Sequence, residues 1–329
     1  IDYRARVTSD EERDFLAAHV AGSATTYRDI DTADHVALIA FEPEEESPIV
    51  FLRINKQFKK RALKVTAVAT KQSIAMDKLK AEFIKVAPGA ESAAVSSLAL
   101  TAKSVILVGE RASESAGLFS AVASLAAKTG AKVAYIPRRA GERGALEAGA
   151  LGNVLPGGRP VMDAAARVDI AAAWGVDSLP ATPGRSALEI IDALTSGDLD
   201  AVVVGGVDAL DLPHGREAIA ALKKSFVVSL EIAPSSVTAV ADVVLPVAAI
   251  TEKSGSFLNW EGRARAFDSA VADSHNRSDV RILSMLADAL GNPISLGTVT
   301  SSAREFNQLG SWDGSRVQLA PVAAGTAKS

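Results

Sequence analysis

Short runs of aliphatic residues recur along the chain, most of them followed by a stretch with helical spacing. This alternation constrains the fold more than any other feature. The runs lie at residues 35–41 (HVALIAF), 64–69 (KVTAVA), 104–108 (SVILV), 132–136 (KVAYI), 201–204 (AVVV), 226–230 (FVVSL) and 242–245 (DVVL). Runs that are apolar at nearly every position suit strands buried on both faces, as in a parallel sheet covered by helices. Ser9, three residues ahead of Glu12, reads as a capping box opening a helix through Phe15, Leu16 and Val20, with a stop near Gly22. Ser47-Pro48 supplies an N-cap and a first-turn proline for a helix through Ile49, Leu52 and Phe58. Further helices carry Leu118, Val122 and Leu125, ended by Gly130; Leu188, Ile191 and Leu194; and residues 215–224. Ser278 caps a last helix through Ile282, Leu283, Leu286 and Leu290, stopped by Gly291. The pattern predicts an α/β fold with two Rossmann-like, doubly wound, mainly parallel sheets and a loop–helix C-terminal appendix.

The expected organisation is a block at 1–88, incomplete at its N-terminus, a second block at 89–250, a loop-and-helix segment at 251–314, and a tail at 315–329. The tail has small residues and no period and is expected to be disordered. Residues 138–184, rich in Gly, Pro, Ala and Arg, read as a long irregular excursion. Only 5% of the residues are aromatic, so the core is built from Ala, Val, Leu and Ile. A net charge of −4 argues against a nucleic-acid partner. The absence of cysteine excludes thiolate-held clusters, disulfides and a cysteine nucleophile. No apolar stretch reaches the roughly 18–20 residues that span a bilayer, so direct membrane insertion is not expected. The first residues show no signal peptide and no initiator Met, so a start at Ile1 reads as a truncated chain, with a processed N-terminus as the alternative.

In open α/β sheets, ligands bind beyond the carboxyl ends of the strands. Three such positions are prominent. The first holds Ala40, Glu42 and the acidic run Glu44 to Glu46; the second holds Gly205, Gly206, Val207 and Asp208; the third follows residues 242–245 and reads LPVAAITEKSGSFLNWEGRARAF.

These segments carry a resemblance. The stretch EKSGSFLNWEGR, with Glu252, Gly255, Asn259, Glu261, Gly262 and Arg263, resembles a motif of the molybdopterin oxidoreductase superfamily. Its Asn-Trp-Glu-Gly-Arg form is similar to the C-terminal part of the large iron–sulfur subunit family of bacterial NADH-quinone oxidoreductase (complex I), in its actinobacterial version. The segment Glu45-Glu-Ser-Pro-Ile, the pair Pro88-Gly89 and the helix after Ser278 support it. The resemblance runs from about residue 1 to 290.

It implies a structural or assembly portion of the peripheral arm, which passes electrons from NADH toward quinone. The parent's 4Fe-4S and 2Fe-2S clusters would lie upstream of Ile1. Its partners would be the other peripheral-arm subunits, on the cytoplasmic side of the bacterial inner membrane. Members that bind the pterin dinucleotide are similar in having Gly-x-Asn-Pro after a strand. The matching positions here are Ala40, Phe41, Glu42 and Pro43, and a carboxylate at Glu42 disfavours a pyrophosphate. Residue Ala69 ends a strand without the acid that would hold a ribose, and Val207 and Asp208 replace the second Asn-Pro. The resemblance therefore implies no catalytic residue, no metal and no cofactor in this chain. The alternative is a fragment of an active molybdopterin-dependent oxidoreductase. A free-standing nucleotide-binding module is a third reading, disfavoured because no G-x-G-x-x-G follows a strand.

Plainer readings stand beside these. The acids at 42–46 suit a solvated loop leading into a helix N-terminus. The pair Gly205-Gly206 suits a simple turn, and Glu252, Asn259, Glu261 and Arg263 suit a polar network holding a loop against the sheet. Residues 56–61 read as the wet face of a helix, and Arg138, Arg139 and Arg143 as solvated or partner-facing. The histidines His19, His35, His214 and His275 lack metal-ligand spacing.

Overall fold

Ser9 opens the first helix, α1 (Asp10–Phe15), by accepting the Glu12 N–H on its hydroxyl at 3.2 Å. Only that half of the expected box forms, because the Glu12 carboxylate turns to Arg6 instead (Nη1, 2.9 Å). The computed structural model describes residues 1–3, 6–271, 274–294 and 297–323. After α1 the chain makes one π-helical turn, Leu16–Val20, and a short helix α2 (Tyr27–Thr32).

The first strand, β1 (His35–Ile39), is buried along its whole length. The acidic run behind it is helical rather than a loop: α3 (Pro43–Glu46) is followed at once by α4 (Pro48–Arg61). Ser47, expected to cap α4, makes no side-chain cap bond. Lys59, Lys60 and Arg61 sit in the last turn of α4, where the helix dipole favours cations. Next come β2 (Lys64–Ala69), α5 (Ile74–Lys78), β3 (Glu82–Lys85) and α6 (Glu91–Ser96). The strand β4 (Ser104–Gly109), the helix α7 (Leu118–Thr129) and β5 (Lys132–Ile136) complete the first unit.

These five strands form one parallel sheet in the order β3-β2-β1-β4-β5. The two-residue period divides them between two cores. Ala37, Ile39, Ile106 and Val108 face α1, the π-helical turn and α7, whereas Val36, Leu38, Val105 and Leu107 face α4 and α5 with Phe51, Ile54 and Met76. Both faces are covered, as nearly uninterrupted apolar strands require. Strands β4 and β5 pair with this sheet, so residues 88 and 89, expected to divide two blocks, fall between β3 and β4 of a single sheet.

The expected irregular excursion contains α8 (Glu142–Glu147), a two-residue hairpin of β6 (Val154–Leu155) and β7 (Arg159–Pro160), and α9 (Ala164–Trp174) capped by Asp163. Small residues hid this order, since alanine leaves little hydrophobic periodicity. A second parallel sheet then forms from β8 (Ala201–Gly205), β9 (Phe226–Glu231) and β10 (Val243–Pro246). Two helices, α10 (Ala187–Ser196) and α11 (Gly215–Leu222), cover one face through Leu194, Ala218 and Leu222.

Beyond it lie an antiparallel hairpin, β11 (Gly255–Leu258) and β12 (Ala264–Phe267), and two helices, α12 (Asp279–Ala289) and α13 (Val299–Leu309). The tail differs from its expected disorder over residues 315–323. Val317 and Leu319 pack against the first core, Arg316 Nη2 donates to the Gly22 carbonyl at 2.8 Å, and Val322 N–H reaches Ser120 Oγ at 2.9 Å. Residues 324–329 of the expected disordered tail lie outside the described residues.

Candidate functional site

The strand order of the first sheet changes direction between β1 and β4, and the loops leaving their carboxyl ends frame the crevice where such folds bind ligands. The two strand ends approach closely. A Cβ on Gly109 would stand 2.3 Å from the Ala40 carbonyl oxygen, so only glycine fits there. Ala40 itself holds a left-handed turn at φ 48°, a conformation that disfavours a Cβ.

That turn aims Glu42 across the crevice. Its Oε2 accepts the Glu45 N–H at 2.8 Å and caps α3, while its Oε1 accepts the Ser73 hydroxyl at 2.7 Å. Ser73 caps α5 by accepting the Met76 N–H at 3.3 Å. The loops after β1 and β2 are thereby joined. Ala69, at the end of β2, offers only its carbonyl, which accepts from Val86 at 3.2 Å. A second tie runs from Lys78 to Glu44.

The Glu46 side chain is only 7% exposed. Its Oε1 accepts Arg111 Nη2 at 2.8 Å and the Glu42 N–H at 3.1 Å, and its Oε2 accepts Arg138 Nε at 3.3 Å. Beside it, Glu110 accepts Arg6 Nε at 2.7 Å and Arg139 Nη1 at 2.6 Å. Burial pushes the Glu110 carboxyl up, but the bonds and charges of Arg139 and Arg6 outweigh it and hold it below the usual carboxylate range. Of the acids expected as a solvated loop, Glu44 and Glu46 are therefore paired with cations of the chain, Glu42 is held by Ser73 and the Glu45 amide, and Glu45 is exposed.

The second position is built differently. Gly206 N–H reaches the Leu230 carbonyl at 3.2 Å, Gly205 ends β8, and Val207 is half-buried. Asp208 accepts the Leu210 N–H at 3.0 Å and the Ser236 hydroxyl, and these bonds lower its pKa in an exposed place.

The six motif residues form two groups, not one. In the turn of the hairpin, Glu261 accepts Tyr27 N–H at 2.9 Å and Arg263 Nε at 2.9 Å, and Asn259 Oδ1 accepts the Arg263 N–H at 2.8 Å. Trp260 enters the second core edge-on to Tyr27. Arg143, expected to be solvated, is buried beneath this turn. It donates to Glu147 at 2.7 Å, to the Trp260 carbonyl at 2.7 Å and to the Ser23 carbonyl at 3.1 Å. Gly262 lies at φ 81°, and a Cβ there would stand 3.3 Å from Arg143 Nη2. Glu252 works elsewhere: it accepts from Ala249 N at 2.8 Å and from Ser274 and Asn276. Gly255 opens β11 opposite Phe267. A cavity of about 230 Å³ lies between this turn, Glu147 and the end of α13. Among the described residues no group of three His, Cys, Asp or Glu residues is placed to hold a metal ion, and no helix is long and apolar enough to cross a membrane.

Arg111 and Ser73 join the site without belonging to any motif, and Arg138 joins it from a stretch that reads as irregular. Their one sequence signal is position, within a few residues of a strand's carboxyl end.

The strand order and the switch-point crevice place the molecule among doubly wound α/β proteins. The chain belongs to the molybdopterin oxidoreductase family, whose model matches residues 7–289. It is 46% identical to the G subunit of NADH-quinone oxidoreductase from Streptomyces coelicolor, over 96% of this chain and 42% of that protein. The G subunit from Mycobacterium bovis is 46% identical over 98% of this chain and 42% of its own length. The chain thus spans less than half the length of these relatives. Formate dehydrogenase H of Escherichia coli is 31% identical over 46% of this chain and 22% of its own.

Proposed function

We propose that this chain is a structural and assembly portion of the large iron–sulfur subunit of a respiratory NADH-quinone oxidoreductase. The observation that carries the reading is identity of 46% along almost the whole chain to the G subunits of such complexes. In this role the parent complex moves electrons from NADH to quinone. The fragment, which has no cysteine, contributes its fold and its surfaces. The clusters, 4Fe-4S and 2Fe-2S, belong to the part of the parent that precedes Ile1. The partners are other subunits of the peripheral arm, on the cytoplasmic face of the bacterial inner membrane.

The pterin dinucleotide of the wider family does not fit the crevice. A pyrophosphate there would meet the Glu42 and Glu46 carboxylates, which already take the arginines and backbone amides an anion needs. Val207 and Asp208 offer no replacement at the second position. Elemental analysis of the natively purified full-length subunit tests this reading. Iron without stoichiometric molybdenum or tungsten, together with co-purifying respiratory subunits, is the expected result. Stoichiometric molybdenum or tungsten would overturn it in favour of a molybdopterin-dependent oxidoreductase.

A further inference from the structure

We infer that Arg111 and Arg138 form a receptor for a phosphate-class oxyanion that the chain fills with its own Glu46, so that removing this one carboxylate opens a binding site. The inference rests on the reading that the crevice holds no ligand in the native chain.

Three donors converge on Glu46 from three separate loops. The Glu42 N–H comes from the loop after β1, Arg111 from the loop after β4, and Arg138 from the loop after β5. The carboxylate is 7% exposed, whereas the two arginines, at 40% and 42%, close over it from the solvent side. This is how a bound anion is held at a switch point: enclosed, and contacted by a backbone amide and two guanidinium groups. A carboxylate has two oxygens, and both are used. Arg111 Nε is nevertheless buried without a partner. A tetrahedral oxyanion carries more acceptor oxygens than Glu46 can present, and it would satisfy Nε and Nη2 of Arg111 together.

The surrounding charges set a limit on affinity. Glu110 is committed to Arg6 and Arg139, Glu44 to Lys78, and Glu42 to Ser73 and the Glu45 amide. With Glu46 removed, Arg111 and Arg138 lose their carboxylate, while Glu42 and Glu45 still repel an incoming anion. The opened site therefore prefers a small, doubly charged ion to a large polyanion.

The test is calorimetric titration of inorganic phosphate into the 329-residue chain and its Glu46→Ala and Glu46→Ser variants, at fixed ionic strength with chloride as the control anion. Circular dichroism checks the fold of each. The expected result is phosphate binding by a folded Glu46 variant at least about tenfold tighter than by the native chain, lost again in Glu46→Ala/Arg111→Ala. Chloride should not compete at equal ionic strength. The Ser variant empties the same space with a polar residue, so the test survives a failure of the Ala variant to fold. Absence of phosphate binding in a folded Glu46→Ala or Glu46→Ser variant, or binding unaffected by Arg111→Ala, would overturn the inference and leave the reading of the native chain intact. Phosphate binding by the native chain as tight as by the variants would overturn both.

Discussion

Glu42 Oε1 accepts the Ser73 hydroxyl at 2.7 Å, a bond between the carboxyl ends of two neighbouring strands that lie 31 residues apart in sequence. The same hydroxyl caps α5. Ser73→Ala therefore removes a charge-assisted hydrogen bond and a helix cap together. A loss of about 1–2 kcal/mol is expected, read as a lower urea midpoint with an unchanged slope. A double-mutant cycle with Glu42→Ala should give a coupling that accounts for part of the loss. Additive effects would mean that the two loops are not joined in solution.

Ala40 holds a left-handed conformation at the end of β1. Its Cβ is disfavoured there by roughly 1–2 kcal/mol, partly offset by the extra freedom glycine has when unfolded. Ala40→Gly should raise stability by about 0.5–1 kcal/mol. A destabilised glycine variant would show that the turn carries no strain.

Arg143 and Glu147 pair where their side chains are 4% and 8% exposed. Arg143→Met should cost about 3–5 kcal/mol, because it strands a buried carboxylate as well as the Trp260 and Ser23 carbonyls. Adding Glu147→Gln to this variant should recover part of the loss. Gly262→Ala should cost about 1–2 kcal/mol from its positive φ. Both changes loosen the turn that inserts Trp260, so tryptophan fluorescence should move to longer wavelength. An unmoved spectrum would dissociate the turn from Arg143.

Two limbs should appear in stability against pH. Glu110 ionises below its ordinary 4.5 in the folded chain, so the unfolded chain binds more protons below that value. Its stabilisation is complete above about pH 4.5 and is lost as pH falls through the folded pKa. Glu110→Gln should lessen the slope of that acid limb, to which Asp29 and Glu261, also lowered, contribute. His19 is lowered from 6.5, first by burial and then by the charge of Arg316. Its proton is bound more readily by the unfolded chain, so stability declines as pH falls from about 6.5 toward the folded value. His19→Phe keeps an aromatic ring against Phe15, 5.1 Å away, and should shrink this upper limb, to which His35, also lowered by burial, contributes. Identical slopes in variant and native chains between about pH 5 and 7 would rule out His19 as its source.

The buried strands were legible because their composition has one physical cause. Strands covered on both faces must be apolar throughout, and the runs at 35–39, 104–108 and 132–136 announce this locally. Edge strand β3, with Glu82 and Lys85 at its ends, has no such requirement and passed unseen. The helices of the 138–184 stretch are rich in alanine and arginine and are built around Arg143 and Arg159, which are buried by pairing rather than by being apolar.

Sequence by itself determined the α/β class, the apolar runs that become the buried parallel strands, and the absence of thiol chemistry. Tertiary structure alone decided which strands share a sheet, and where the acids of the first loop find their partners. Glu46 lies 65 residues from Arg111 and 92 from Arg138, and Arg143 lies 117 from Trp260. No local pattern encodes such distances, because each depends on strand order, and strand order is set by how whole helices cover a sheet. The residues at 42 to 46 read as an acidic loop in one dimension. In the fold, Glu46 is the counter-ion of Arg111 and Arg138, and Glu44 that of Lys78, all brought to them across the sheet.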